Sequence, residues 1–346
     1  MENDTPKSLG YNMPAEWEQH DATWITFPHN DNTWPERLEG VQKLFGEEIA
    51  HISMGERVDV FVQNQKVWQL AESLIFAHSF AKRENVVFHE LETMDSWIRD
   101  YGPTFVVNRA EKKLAMVHWI FNAWGEKYEA EEPLSNDKVV PLRINEIIQI
   151  KRFEPGIVME GGSIEVDGKG TVITSEQCLL NKNRNPKLNR KEIEDYLKDY
   201  LNVEKVIWVG EGIEGDDTDG HIDDMVRFFG EKKVLCVMPN RDDANFPKMR
   251  ENFESLQGAG FEVTALPMPK AIYVDGGKRR LPASYANFYI ANAVIIVPVF
   301  NDENDKKALD IIAKCFPDRH AVGLYSTDVV YGFGSWHCLS QQQPKV

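Results

Sequence analysis

The sequence has few cysteines and no long apolar run. Its four cysteines lie far apart, without CxxC or CxxH spacing, so no metal site or disulfide framework is predicted. No apolar run approaches the ~20 residues that a membrane-spanning helix needs. The first residues also lack the basic and apolar segments of a secretion signal. Free thiols without such a signal predict a cytoplasmic protein with no membrane partner.

The chain also lacks an excess of positive charge. It has 39 Lys and Arg against 55 Asp and Glu, which gives a formal net charge of −16. Nucleic-acid-binding proteins carry a basic surface that attracts phosphates, so a nucleic-acid partner is not expected. A negative surface instead attracts small cations.

What the sequence does contain is a repeat. Two-strand patterns, each divided by a turn, cover residues 103–121, 162–178, 221–238 and 284–298, so their starts are 59, 59 and 63 residues apart. After each of several such patterns come a helical segment and a single strand. The segments with helical spacing are residues 36–52, 67–81, 186–201, 246–256 and 305–315; the single strands are residues 58–62, 86–91, 206–209, 261–266 and 321–325.

About five modules of roughly 60 residues predict an α/β fold closed into a ring, with residues 1–346 forming one catalytic domain. In this arrangement a strand at residues 22–27 pairs with whatever follows Cys338 and closes the ring. The alternative is a two-domain α/β protein with a dinucleotide-binding half. No GxGxxG motif follows a predicted strand, which disfavours that alternative.

Polar residues recur at one phase of the repeat. Asp100 precedes Glu160 by 60 residues, Glu160 precedes His221 by 61, and Cys338 stands where a fifth hairpin begins. Equivalent positions in a pseudo-symmetric ring face one axis, so these side chains are expected in one pocket. His221 and Asp223, placed on a strand, would share a face. Singly, each has a structural explanation, such as a paired carboxylate or a core histidine; their common phase favours a functional site.

Cys338 is the candidate nucleophile. It follows a glycine-containing aromatic segment in which Gly332 and Gly334 allow a close backbone approach. The alternative for Cys338 is a buried structural cysteine. Carboxylates in a pocket suit a guanidinium group, which is planar, always charged and prefers bidentate acceptors. Its carbon is a poor electrophile, so a thiolate is the most suitable side-chain nucleophile.

The chain resembles the agmatine deiminases grouped with Porphyromonas-type peptidylarginine deiminases, in the guanidine-modifying (pentein) superfamily. The resemblance covers nearly the whole chain. The motifs that carry it are Met13-Pro14-Ala15-Glu16-Trp17, Ser96-Trp97-Ile98-Arg99-Asp100-Tyr101-Gly102-Pro103-Thr104-Phe105, Glu160-Gly161-Gly162-Ser163, Asn181-Lys182-Asn183-Arg184-Asn185-Pro186, Thr218-Asp219-Gly220-His221-Ile222-Asp223, and His337-Cys338 with Gln341-Gln342-Gln343-Pro344.

This resemblance implies a five-bladed, pseudo-symmetric α/β propeller around an axial active site. It implies that Cys338 is the nucleophile and His221 the general acid and base. Asp100 and Asp223 would hold the guanidinium, with Glu160 beside them. No cofactor is implied.

The resemblance further implies that Trp97 lies over the alkyl chain of the substrate, and Gly334 is expected to contribute to substrate binding. The chain departs from the family near the nucleophile: GGGNIHC is usual where this sequence has Phe333, Ser335 and Trp336. Asp224 likewise stands where Asn is common. The reaction class is therefore better defined than the substrate.

The expected reaction is hydrolysis of agmatine to N-carbamoylputrescine and ammonia, through an amidino-thioether on the cysteine. Alternatives with the same chemistry are deimination of free or peptidyl arginine, and amidinotransfer to an amine. A catalytically silent propeller scaffold is the alternative from another class, but it would need neither the cysteine nor the histidine. The expected partner is a small cationic guanidine, and a homo-oligomer is possible.

Overall fold

The structure is a computed structural model that describes residues 4–128 and 134–346. Its strands are β1 (His20–Thr26), β2 (Arg57–Val62), β3 (Val86–Glu90), β4 (Thr104–Asn108), β5 (Lys113–Val117), β6 (Lys151–Phe153), β7 (Glu165–Val166), β8 (Thr171–Ser175), β9 (Lys205–Val209), β10 (Val226–Gly230), β11 (Lys233–Val237), β12 (Glu262–Leu266), β13 (Tyr273–Val274), β14 (Arg279–Arg280), β15 (Tyr289–Ile290), β16 (Val294–Val299), β17 (His320–Tyr325) and β18 (Ser340–Pro344).

The helices lie between these strands. They are α1 (Leu38–Ile52), α2 (Gln65–Ile75), α3 (Ile98–Tyr101), α4 (Ala123–Glu126), α5 (Leu134–Lys138), α6 (Val140–Ile148), α7 (Glu176–Leu179), α8 (Arg190–Leu201), α9 (Phe246–Gly258) and α10 (Asp305–Cys315). Within the described residues, no helix is long and apolar enough to cross a lipid bilayer.

Four three-stranded sheets share one plan. Each begins with an antiparallel hairpin, and a third strand then joins it in parallel after a helical connection: β4-β5-β6, β7-β8-β9, β10-β11-β12 and β15-β16-β17. A parallel neighbour requires such a crossover, which is why a helix follows every hairpin. The four predicted hairpins and the α/β class are therefore confirmed.

A fifth sheet contains both ends of the chain, in the order β18-β1-β2-β3. Strand β18 runs antiparallel to β1, with Trp24 opposite Gln341. The predicted pairing of residues 22–27 with the segment after Cys338 is confirmed. Because β18 begins two residues after Cys338, this pairing fixes the position of the nucleophile candidate. The assignment of residues 1–346 to one catalytic domain stays a prediction.

Two predicted helix boundaries were wrong, and capping explains both. The helix predicted at residues 186–201 begins only at Arg190, because the Asn189 side chain accepts from the backbone N–H of Glu192 and the Glu192 side chain accepts from that of Asn189. The helix predicted at residues 67–81 spans Gln65–Ile75, since Asn64 caps its first turn.

Candidate active site

A cavity of about 330 Å³ opens beside the end of the chain. Cys338, Asp100, Trp97 and Gly334 all contribute to its wall. Cys338 comes from the segment before β18, and Asp100 and Trp97 come from the turn around α3, which leads into β4. Strand pairing in two different sheets therefore delivers the nucleophile candidate and one carboxylate to the same cavity.

Asn287 holds Cys338 in place. Its side-chain Nδ2 donates to Sγ of Cys338 at 3.1 Å, and its Oδ1 accepts from the backbone N–H of Cys338 at 3.3 Å and of Ser335 at 3.2 Å. The same Nδ2 donates to Oδ1 of Asp224 at 3.0 Å. The sulfur also lies 3.5 Å from Oδ2 of Asp223.

These surroundings keep the free thiol neutral. Burial raises the pKa of Cys338 well above its usual range, and the negative charges of Asp223, Asp224 and Asp100 raise it further. The hydrogen bond from Asn287 opposes the rise but does not cancel it. A cation bound among the carboxylates would lower the thiol pKa, because it would favour the thiolate.

Gly162 is the point around which three of the predicted residues converge. A Cβ atom there would lie 2.5 Å from Nδ1 of His221, 2.8 Å from Oδ1 of Asp100 and 3.1 Å from Oδ2 of Asp223. Its backbone N–H donates to Oδ1 of Asp100 at 3.0 Å. The three side chains pack where any larger residue would stand, which explains the glycine.

His221 is fully buried among acids. Its Nδ1 lies 3.7 Å from Oδ1 of Asp100, and its Nε2 lies 3.9 Å from Oε2 of Glu160. Burial lowers the pKa of His221, but the negative charge of Asp100 and the nearby Cys178 and Glu160 outweigh it, so the pKa lies well above its usual value. The protonated ring, which is able to donate a proton, is therefore favoured.

Glu160 carries one occupied and one free oxygen. Its Oε1 accepts from Nε of Arg184 at 2.6 Å, while Oε2 is buried without a hydrogen-bond partner among the described residues. Burial opposes ionisation of Glu160, but the nearby His221 and the charge of Arg184 hold its pKa below the usual value. An ionised oxygen thus faces His221.

The expectation that His221 and Asp223 share a strand face was wrong. Ile222–Asp224 form a short 3₁₀ turn, and the strand begins only at Val226. The turn still directs both side chains to the site around Gly162.

Arg99 and Asp100 are adjacent in the sequence but have different partners. Both lie in the helical turn α3, where successive side chains point in different directions. Arg99 donates to Gln342 at 2.6 Å, whereas Asp100 accepts from Nε1 of Trp124 at 2.8 Å.

The wall of the cavity is close-packed at Trp97. A Cβ on Gly334 would lie 2.5 Å from Cζ3 of Trp97 and 3.0 Å from Cβ of Cys338, so only glycine fits there. The neighbouring Phe333 has φ of +75°, a conformation that L residues with bulky side chains rarely adopt.

Acids line the outer part of the cavity. Asp95, Asp137 and Asp217 contribute to its wall. Burial raises the pKa of all three, that of Asp217 to about 7, where the charge of nearby Asp216 adds to the rise. A bound ammonium would stabilise the ionised forms of these carboxyls.

A cationic side chain, that of Arg279, also lines the cavity. Arg279, from β14, lies with its guanidinium 4.6 Å from the ring centre of Phe333. Its Nε is 3.1 Å from Oδ2 of Asp275, outside the cavity wall. The two residues lie four positions apart on the hairpin of β13 and β14, so that pairing is local.

The structure brings all seven predicted residues together: Cys338, His221, Asp100, Asp223, Glu160, Trp97 and Gly334. The roles proposed for them remain predictions.

Among the residues that the structure describes, Glu160, Cys178 and His221 form a group that could hold a metal ion, with ligand atoms within 4.8 Å of one another. Arg184, bonded to Glu160, places a positive charge beside this group, which disfavours a divalent ion there.

Comparison with known proteins places this arrangement in a family. The model of the Porphyromonas-type peptidyl-arginine deiminases matches residues 12–344. The chain belongs to this family. It is 40% identical to an agmatine deiminase of Medicago truncatula, over 100% of this chain and 99% of that protein.

Solved structures of the same family agree with the fold. The structure of Enterococcus faecalis agmatine deiminase superposes with a TM-score of 0.90 and 34% identity, covering 100% of this chain and 99% of that one. A substrate-bound agmatine deiminase variant of C. jejuni superposes with a TM-score of 0.88 and 29% identity, covering 97% of this chain and 96% of that one. The predicted family and fold class are confirmed.

Sequence reasoning missed several residues of the family site. Asn287 lies between Ala286 and Phe288 in a largely apolar and aromatic stretch, and Trp124 lies in a segment whose residues from Ala123 to Glu126 have positive φ angles. Neither residue belongs to a periodic pattern in the sequence. Glu16 and Arg184 did stand within motifs that carried the family resemblance, but no role was assigned to them.

Proposed function

We propose that this chain hydrolyses agmatine to N-carbamoylputrescine and ammonia, with Cys338 as the nucleophile. The observation that carries the proposal is the position of the Cys338 thiol, 3.5 Å from Asp223 and within the cavity that Asp100 also lines. This places a nucleophile beside carboxylates that suit a guanidinium. The full-length similarity to agmatine deiminases supports the choice of substrate.

In the first half of the reaction, the guanidinium binds to Asp100 and Asp223. Asp223 offers Oδ1, which is buried without a partner among the described residues. The cation lowers the pKa of Cys338, the thiol releases its proton to solvent, and the thiolate attacks the guanidinium carbon. His221 gives its proton to the leaving nitrogen, the C–N bond breaks, and ammonia departs. An amidino-thioether remains on the cysteine.

In the second half, water replaces ammonia. His221, now neutral, takes a proton from the water as the oxygen attacks the same carbon. The C–S bond then breaks, the ureido product leaves, and the cysteine returns to the thiol or thiolate form. Glu160 faces His221 throughout and favours the protonated ring, since its carboxylate oxygen lies 3.9 Å from Nε2.

The outer acids support agmatine over arginine. Asp95, Asp137 and Asp217 present carboxyls to the distal end of a bound substrate, where agmatine carries an ammonium. An α-carboxylate there would face three acids, and burying an unpaired charge is costly. Arg279 is the observation that favours the second candidate, deimination of arginine, because its cationic side chain also lines the cavity.

A parallel assay tests the proposal. Release of ammonia and of the ureido product is measured with agmatine, free arginine and a blocked arginine peptide. We expect kcat/KM for agmatine to exceed that for arginine at least roughly tenfold. Arg279→Gln should leave agmatine turnover within about threefold. Equal or faster turnover of arginine, lost in Arg279→Gln, would establish the second candidate instead.

The finer expectations about the cellular context stay proposals. A cytoplasmic location and a homo-oligomeric state were expected from the sequence. Fractionation of cells and light scattering of the purified protein would test them.

A further inference from the structure

His337 directly precedes the nucleophile and lies between two carboxylates. Its Nδ1 is 2.7 Å from Oδ2 of Asp223, and its Nε2 is 2.7 Å from Oε2 of Glu16. All three side chains are buried. The Oδ2 atom that His337 contacts is also the atom that lies 3.5 Å from Sγ of Cys338.

Two short contacts to carboxylates need two donated protons. A neutral imidazole carries one N–H, an imidazolium carries two, and an ionised carboxylate carries none. Burial favours a neutral Glu16, but two arginines that contact its carboxylate, Arg227 and Arg99, help to hold the pKa of Glu16 well below its usual range. The pKa of Asp223 is also lowered, because bonding to His337 outweighs its burial. Both protons then belong to the ring.

We infer that His337 donates both of its ring N–H groups, one to Glu16 as its counter-ion and one to Asp223, and that this arrangement positions Asp223 for the guanidinium and for Cys338. The inference rests on the proposed function, since Asp223 is placed within that reaction. Glu16 and His337 act through Asp223, so they are positioning residues.

Glu16 is held on several sides and cannot turn away from His337. Its Oε1 accepts from Nη2 of Arg227 and from the backbone N–H of Ile290, each at 2.9 Å. Nη2 of Arg99 lies 3.4 Å from its Oε2, and Nε of Arg99 donates to the backbone carbonyl of His337 at 3.2 Å. These contacts come from strands and turns of different sheets.

The charged groups around the ring are thus two acids in direct contact and two arginines behind them. A third acid, Glu165, contacts Arg227 at 3.2 Å and completes the cluster. The bond to His337 occupies Oδ2 of Asp223, while Oδ1 has no partner among the described residues. Because His337 fixes Oδ2 of Asp223, Oδ1 is left to bind the substrate.

Glu165 provides a matched control. It is a buried carboxylate bonded to the same arginine, but its side-chain contacts are with Arg227 and the backbone N–H of Phe228 rather than with His337. Glu165→Gln leaves both carboxylate contacts of His337 in place. Glu16→Gln keeps the size of the side chain but removes the counter-ion of His337.

We expect Glu16→Gln to lower kcat/KM for agmatine by roughly 10- to 100-fold, as loss of a group that orients a reacting residue does. The loss should fall mainly on kcat rather than on KM, because Glu16 orients reacting groups and does not touch the substrate. Glu165→Gln should keep both kcat and KM within about threefold of the wild type. Equal effects of the two variants would reduce Glu16 to a structural role and overturn the inference.

Nuclear magnetic resonance of the wild type with ¹⁵N-labelled histidine gives a second readout that does not depend on turnover. The His337 signal, assigned by its loss in His337→Asn, should show two protonated ring nitrogens at pH 7. A single protonated nitrogen would overturn the inference. If the wild type shows an imidazolium but releases no ammonia from agmatine, the ion pair is supported and the proposed function is wrong.

Discussion

The Sγ atom of Cys338 lies 3.5 Å from a carboxylate oxygen of Asp223. A thiol beside an anion resists ionisation, and burial adds to the effect, so the pKa of Cys338 lies well above its usual range. The same carboxylate attracts a guanidinium, whose charge favours the thiolate. The nucleophile is therefore expected to be reactive only when a cation occupies the site.

Alkylation by a matched pair of reagents tests this dependence. Chloroacetamidine carries a positive charge that resembles a guanidinium, and chloroacetamide is its neutral analogue. At pH 7 we expect the amidine to inactivate the enzyme at least roughly 100-fold faster, after correction for the reaction of each reagent with a small free thiol. The rate with the amide should rise about tenfold per pH unit up to strongly alkaline pH.

The site of alkylation is read from the mass of tryptic peptides. Both reagents should modify Cys338, and Cys338→Ser should abolish the modification. Rapid, pH-independent reaction of the neutral amide near pH 7 would mean that the free enzyme already holds a thiolate.

Replacement of Gly162 tests the convergence of the site. A Cβ there would stand 2.5 Å from His221 and 2.8 Å from Asp100, so Gly162→Ala must displace at least one of them. We expect kcat/KM to fall more than about 100-fold, because small misplacements of reacting groups are costly. The loss is measured with agmatine at saturating and at low concentrations.

Gly258→Ala is the matched control. Gly258 lies in α9, and a Cβ there meets nothing within 4 Å. This variant should keep full activity and gain about 0.5–1 kcal/mol in the free energy of unfolding, since alanine favours a helix. Activity of Gly162→Ala close to that of Gly258→Ala would show that His221 and Asp100 need not approach this glycine.

Asp217 should make agmatine binding pH-dependent. Burial and the charge of Asp216 raise the pKa of Asp217 to about 7. Above that pH it is ionised and attracts the distal ammonium; below it the carboxyl is neutral. The KM for agmatine should therefore fall between pH 6 and pH 8, and Asp217→Asn should raise KM at pH 8 by roughly tenfold, the effect of one charged hydrogen bond.

Butylguanidine, which has the guanidinium but no distal ammonium, is the control substrate. Its KM should not respond to Asp217→Asn. If the ratio of the two agmatine KM values, wild type to variant, stays constant between pH 6 and pH 8, Asp217 does not bind the ammonium.

Much of this arrangement could be predicted from the sequence, for a physical reason. Strand and helix periodicity identified the hairpins, and a spacing of about 60 residues placed Asp100, Glu160 and His221 at one phase of a repeat. In such a repeat, residues that lie one period apart in the sequence occupy equivalent positions in successive modules. Cys338 followed from the same phase, and β18 pairs with β1 as expected.

Other parts of the site lie outside any periodic signal. Arg279 comes from a two-residue strand in a small hairpin, far along the chain from the nucleophile. Asn287 acts through hydrogen bonds between its side chain and Cys338, which form only in the folded structure. The 3₁₀ turn at Ile222–Asp224 replaced an expected strand, because local turns depend on contacts that periodicity does not describe.

The central claim is that a covalent intermediate forms on Cys338, and intact-protein mass spectrometry of the acid-quenched agmatine reaction tests it most directly. An amidino adduct should appear in the steady state and map to Cys338. Ser variants of Cys236 and Cys315, which lie outside the site, should retain both the adduct and turnover, whereas Cys338→Ser should show neither. An adduct on another cysteine, or turnover by Cys338→Ser near the wild-type rate, would contradict the mechanism.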